Sequence, residues 1–293
     1  VSEPSLPAFD RRLTPARPDL AAAFLRGKIE AARYAQGQLM HVIAEVTDLR
    51  PQPSPEASLD TQALYGEEAV IYDADEGWAW GQLANDGYVG YLPASALAEG
   101  PQAATHRLAV LRSFIYPGAS LKLPIQGALT LNARMNVVAA DGDFLRLAEG
   151  GYVFASHAVA RDAYEPDFVA VAERFLNVPY LWGGRSALGI DCSGLVQVSL
   201  AAAGQRAPRD TDLQEKQLGD SVALSDAPSG LQRGDLIFWK GHVGMMRDTR
   251  MLLHANAFHM QVASEPLAEA VARIQARAGA VITSIRRLSG SKG

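Results

Sequence analysis

Between His41 and His157 the chain runs twice through the same order of short patterned segments, and this repetition constrains the fold more than any other feature. In the first pass residues 42–46 read as a strand and residues 51–58 as a proline-rich loop. Residues 69–73, 78–83 and 88–92 follow as short β-patterned runs. Asp75-Glu76-Gly77 and Asn85-Asp86-Gly87 supply the turns between them, because Gly after Asp or Asn tolerates the positive φ of a tight hairpin. The second pass opens with residues 107–111. It continues through 137–140, an Asp141-Gly142-Asp143 turn and 144–147, and closes on Gly150-Gly151-Tyr152-Val153, which mirrors Gly87-Tyr88-Val89. Two repeats of roughly 55 residues made only of short strands predict two small β-barrels.

The flanks have a different texture. Residues 1–40 begin as a Pro/Arg-rich arm, with a short amphipathic helix predicted from Pro18 to about Tyr34. After Arg161, Glu165-Pro166-Asp167 reads as a helix start, and Phe168, Val171, Ala172, Phe175 and Leu176 recur at helical spacing. The expected division is an arm at 1–40, one barrel at 41–103, a second at 104–162, and a mixed α and β domain at 163–293. A chain of 293 residues, 48% hydrophobic and 20% charged, has ample material for such a set of domains. The net charge of −5 offers no electrostatic footprint for nucleic acid or an anionic membrane, and no apolar run is long enough to span a bilayer. Neither is expected as a partner, and the chain is expected to be a monomer.

The last domain holds the only cysteine of the sequence, which forbids an intramolecular disulfide. Tyr180-Leu181-Trp182-Gly183-Gly184 precedes Gly189-Ile190-Asp191-Cys192-Ser193-Gly194-Leu195-Val196. Asp191 is placed to cap a helix running to about Ala203, so Cys192 falls in its first turn. The partial positive charge of a helix N-terminus favours a thiolate, and a thiol pKa below about 8.5 is expected there. A thiolate nucleophile needs a general base. His242 sits at the start of the second of two strands joined by a Lys240-Gly241 turn, and His254 lies in the next apolar run. Side by side on adjacent strands, His254 would orient His242 by a hydrogen bond to its Nδ1. His41, His106 and His157 fall at module boundaries and read as structural; His259 reads as a loop residue. No His, Cys or Asp cluster shows metal-ligand spacing, so no metal and no cofactor is expected.

Taken in order, Tyr-Leu-Trp-Gly-Gly, Asp-Cys-Ser-Gly-Leu-Val, Arg-Gly-Asp-Leu-Ile-Phe-Trp and Gly-His-Val-Gly resemble the NlpC/P60 family of cell-wall cysteine peptidases over roughly residues 165–285. The hairpin with Trp78 and Trp80, closed by Gly-Tyr-Val, resembles the bacterial SH3b domain. The resemblance implies an α+β architecture: a papain-like NlpC/P60 catalytic domain preceded by two SH3b-like β-barrels. It also implies Cys192 as nucleophile, His242 as base, His254 as the third polar member, and Tyr180, twelve positions before Cys192, beside the oxyanion site. Two SH3b-like modules ahead of the domain narrow the likeness to γ-D-glutamyl-L-diamino acid endopeptidases, whose partner is a murein tri- or tetrapeptide with a free N-terminal L-Ala. The substrate-contacting positions then fall on Asp191, Ser193, Arg209, Asp210 and Trp182, with Glu67 and Tyr88 or Tyr91 from the first barrel for the ammonium group. Asp191 would serve that ammonium as well as the helix, or the cap alone. Arg209-Asp210 reads equally as a surface ion pair.

Two other functions use the same residues differently. An amidase or acyltransferase would keep the Cys/His machinery, and a non-catalytic SH3b wall-binding protein would not need it. The acidic charge and the lack of an apolar leader core in residues 1–20 favour peptide recycling in the cytoplasm. A periplasmic site is the alternative if a leader was removed.

Overall fold

The computed structural model describes residues 9–223 and 230–288, so the first eight residues of the arm and the last five of the chain lie outside the described residues. The chain forms two compact units, residues 1–103 and 104–293.

The first unit is built on a five-stranded antiparallel sheet. Its strands run in the spatial order Val89–Pro93, Trp78–Leu83, Glu68–Asp75, Gln38–Val42 and Leu97–Glu99. A hairpin of Val46–Leu49 with Thr61–Leu64 completes the barrel. The expected strand over 42–46 is interrupted: residues 43–45 bend, so the chain leaves the larger sheet at Val42 and enters the hairpin at Val46. The Ile43 N–H donates to Ala96 O, and Glu45 O accepts from Tyr65 N, so backbone polarity is satisfied through the corner. The Asp75-Glu76-Gly77 turn forms as its residues require, with φ of 47° at Glu76 and 84° at Gly77.

No α-helix forms between Pro18 and Tyr34. Leu20–Ala22 is a short strand paired in parallel with Arg33–Ala35, and only Ala23–Leu25 makes a 3-10 turn. Ala21 and Ala22, which suggested a helix, are instead completely buried, and tertiary packing overrides their local preference. Each barrel ends alike, with a 3-10 turn (Ala94–Ala96 and Ala155–His157) and a closing strand (Leu97–Glu99 and Ala158–Ala160).

In the second unit the residue 104–162 barrel and the mixed domain share one core. Leu131, from the barrel, lies in the same apolar cluster as Phe168, Phe175, Leu195 and Val198. Asn132 Nδ2 donates to Val198 O at 2.9 Å, and the Arg107 guanidinium donates to Ala163 O and Ala202 O. The expected boundary at 162/163 therefore passes through packed structure.

Among the described residues the mixed domain has four α-helices: α1 (Phe168–Glu173), α2 (Cys192–Ala202), α3 (Thr211–Gln217) and α4 (Leu267–Ala278). Asp167 caps α1, its side chain accepting from Val169 N. A six-stranded antiparallel sheet runs in the order Asp220–Val222, Ile282–Arg287, Leu236–Trp239, His242–Met246, Met251–Asn256 and Gln261–Pro266. Its alternating residues build two cores. Val243, Met245, Leu253 and Val262 pack with α1 and α2 on one face. On the other face Trp239, Met246 and Leu252 pack with Leu267, Ala270 and Ile274 of α4. Among the described residues no helix is long and apolar enough to cross a membrane.

Candidate active site

Asp191 organises the start of α2. Its Oδ1 accepts from the Gly194 N–H at 2.7 Å, the side-chain cap the sequence suggests. The same carboxylate accepts from Gly183 N, from Ser193 Oγ and, through both oxygens, from Arg209 at 3.0 and 2.7 Å. Arg209 is only 1% exposed, and it also donates to Ser193 Oγ. Arg209 is thus a buried partner of Asp191 and not a surface residue. Asp210 sits at the N-cap of α3 without a side-chain capping bond. Ser193, also buried, lies within this polar layer through its bonds to Asp191 and Arg209.

Cys192 occupies the first turn of α2 and is 7% exposed. Its sulfur lies 3.8 Å from Thr211 Oγ1. Contrary to the expectation of a depressed thiol, burial and then the Asp191 carboxylate push it up to about 11. The Val243 and Thr211 hydrogen bonds and Arg209 pull the other way and do not offset this. Desolvation outweighs the helix terminus because a thiolate at this depth has lost most of its water. The resting residue is a thiol, which becomes nucleophilic when a base takes its proton.

The expected base is the residue before Val243 in the sequence. His242 begins its strand after the Lys240-Gly241 turn, and Trp239 is its paired partner. Its Nε2 lies 2.8 Å from Nδ1 of His254, so the contact is made through Nε2 of His242 and not through the expected Nδ1. His254 Nε2 in turn lies 2.8 Å from Glu265 Oε1. His242, His254 and Glu265 step diagonally across three neighbouring strands on one face. Gly244 makes room for this row: a Cβ there would stand 2.8 Å from Leu252 Cδ1 and 3.2 Å from His254 Cβ. Burial pushes the His242 imidazole down to about 3, and it lowers His254 too, although Glu265 works against that second shift. Both rings are therefore neutral near pH 7, and a neutral imidazole can accept a proton.

Tyr180 is half-buried and bridges to Ile190, just ahead of the capping residue. Burial first, then the charges at Cys192 and Asp191, raise its hydroxyl well above the ordinary value and keep it a donor. Trp182 is 67% exposed. In the first unit Glu67 is buried and accepts from Leu64 N at 3.0 Å, while Tyr88 lies in the barrel core. Tyr91 is more open; it lines a cavity of about 400 Å³ with Trp78, Trp80 and Arg17, and its hydroxyl accepts from Arg17.

Sequence reasoning missed Glu265, Arg273 and Thr211. Glu265 carried no local motif; its position follows from strand register, with Ala263 opposite His254 and Glu265 two residues on. One group with metal-ligand types does gather among the described residues, His254, His259 and Glu265. Its donors are already engaged, since Glu265 Oε1 takes both His254 and the Arg273 guanidinium, and the cation beside them opposes a metal ion.

Residues 177–277 match the NlpC/P60 family model, and residues 49–97 match the bacterial dipeptidyl-peptidase SH3 domain. The chain carries an NlpC/P60 peptidase domain. Behind its SH3 domain this NlpC/P60 chain has the α+β fold its motifs implied, and it is a hydrolase of the peptidase kind. A γ-D-glutamyl-L-lysine dipeptidyl-peptidase of Bacillus cereus is 28% identical over 71% of this chain and 71% of its own length. Dipeptidyl-peptidase 6 of Lysinibacillus sphaericus is 26% identical over 73% of this chain and 86% of its own. The crystal structure of an NlpC/P60 protein from Bacillus cereus superposes with a TM-score of 0.69 at 20% identity, over 85% of this chain and 99% of that one, a likeness of fold.

Proposed function

We propose that the chain is a cysteine peptidase that cleaves the bond between γ-D-Glu and a diamino acid, diaminopimelate or lysine, in murein peptides with a free N-terminal L-Ala. The observations that carry the chemistry are a cysteine in the first turn of α2, 3.8 Å from Thr211 Oγ1, and a histidine pair held at 2.8 Å in the same domain. The bond specificity is supported by the relatives' names.

In this reading His242 accepts the thiol proton as the sulfur attacks the carbonyl carbon. The oxyanion is received by backbone N–H groups at the start of α2 and by the Tyr180 hydroxyl. The His242 imidazolium then protonates the departing amine, leaving a thioester on Cys192. Water, deprotonated by the same imidazole, hydrolyses the thioester and releases L-Ala-D-Glu. Asp191, Ser193 and Arg209 hold the helix start rigid, and exposed Trp182 is free to contact substrate. From the first barrel, Glu67 and Tyr88 or Tyr91 are the candidates for the substrate ammonium group. We read the role as recycling of free peptides.

The test compares L-Ala-γ-D-Glu-diaminopimelate with its N-acetylated form. Cleavage of the free peptide alone is expected. Equal cleavage of both would remove the free-amine requirement, and cleavage of neither would redirect the search to other acyl substrates. Cys192→Ala should reduce turnover by at least about a thousandfold.

A further inference from the structure

We propose that Glu265 is a positioning residue of this site: by accepting the Nε2 proton of His254 it fixes the tautomers of both histidines and leaves Nδ1 of His242 as the basic nitrogen. The inference rests on the cysteine peptidase reading above and adds a fourth member to its Cys192, His242 and His254.

The argument is one of donors and acceptors. Arg273 holds Glu265 as a carboxylate, and an ionised carboxylate only accepts hydrogen bonds. Burial works against that ionisation, but the His254 bond and the cation prevail and keep the carboxyl below its ordinary range. The 2.8 Å contact therefore requires a proton on His254 Nε2. A neutral imidazole carries one proton, so His254 Nδ1 is an acceptor. His242 Nε2, 2.8 Å away, must then be the donor, and its Nδ1 keeps the lone pair. The reverse tautomers would set a bare ring nitrogen against a carboxylate at the buried end of the row. They would also put a proton on the His242 nitrogen that has to receive one. His259 stands 4.0 Å from the same carboxylate oxygen, but Asn256 Oδ1 engages its Nδ1 at 3.0 Å. His254 is the imidazole in direct hydrogen-bond contact with Glu265.

Glu265→Gln tests this without changing shape. Arg273 donates to the amide oxygen, which turns the amide N–H groups toward His254 Nε2 and favours the reversed tautomers. Three readings on the full chain are decisive. Ring ¹⁵N NMR of the wild-type protein should place protons on Nε2 of both histidines, and Glu265→Gln should move them to Nδ1. In the variant kcat should fall on the order of 10–100-fold with KM within about twofold, since Glu265 is placed behind the ring and not at the substrate. Iodoacetamide labelling of Cys192, the only thiol in the sequence, should slow in parallel at pH 7. Glu265→Asp, which keeps the charge, should recover part of the rate.

A wild-type His254 protonated at Nδ1 overturns the proposal, as does a Glu265→Gln protein with unaltered tautomers and unaltered kcat. If that variant fails to fold, the wild-type spectrum decides alone. If the wild-type protein leaves murein peptides intact, the substrate reading fails. The tautomer and labelling results still judge Glu265.

Discussion

At the residue scale the proposed nucleophile Cys192 and the proposed base His242 are both held neutral, the thiol near 11 and the imidazole near 3. A wide pH interval therefore separates them, and charge appears when the proton crosses between them during attack. The rate of Cys192 alkylation should accordingly keep rising above pH 9. A plateau reached below pH 8 would instead reveal a thiolate–imidazolium pair at rest. Gly244 is the second residue whose identity is set by the site. Alanine there meets Leu252 and the Cβ of His254, so the ring must shift by several tenths of an ångström. Gly244→Ala should lower kcat on the order of tenfold or more, because a small misplacement of a base is costly. Unchanged kcat would show that the row can relax.

At the element scale α2 depends on one carboxylate for both its cap and its buried cation. Asp191→Ala removes the Gly194 bond and strands Arg209, 1% exposed, without its carboxylate. A loss of about 3–5 kcal/mol is expected in urea unfolding. The cap of α2 was legible because Asp followed by a small-residue turn is a local signal. So were the Lys240-Gly241 and Asn85-Asp86-Gly87 turns, which rest on backbone freedom of their own residues. The Asp191–Arg209 pair was not legible, since eighteen residues of chain separate its members and only folding makes one buried charge the neighbour of another. The same applies to Glu265, placed by register two strands away from His242. Ala21 and Ala22 misled for the opposite reason: their helix preference is real but small, and a parallel strand pair with complete burial outweighs it.

At the scale of the whole molecule the histidine row links stability to acidity. A ring whose folded pKa is depressed contributes stability that is present above its unfolded value near 6.5 and is lost as pH falls toward the folded value. With His242 near 3 and His254 also lowered, the urea midpoint should drop steadily between pH 6.5 and pH 4. His242→Gln should flatten that slope; an unaltered slope would assign the acid sensitivity elsewhere. The shared core of the second unit has a consequence for how such a chain can be inherited. Leu131 and Asn132 reach into the helices, and Arg107 holds the carbonyls of Ala163 and Ala202. A crossover at residues 162/163 would cut through a cooperative unit, leaving one parent's helices facing the other parent's barrel. The repeat that looks most exchangeable on paper is thus bound to descend together with the peptidase it adjoins.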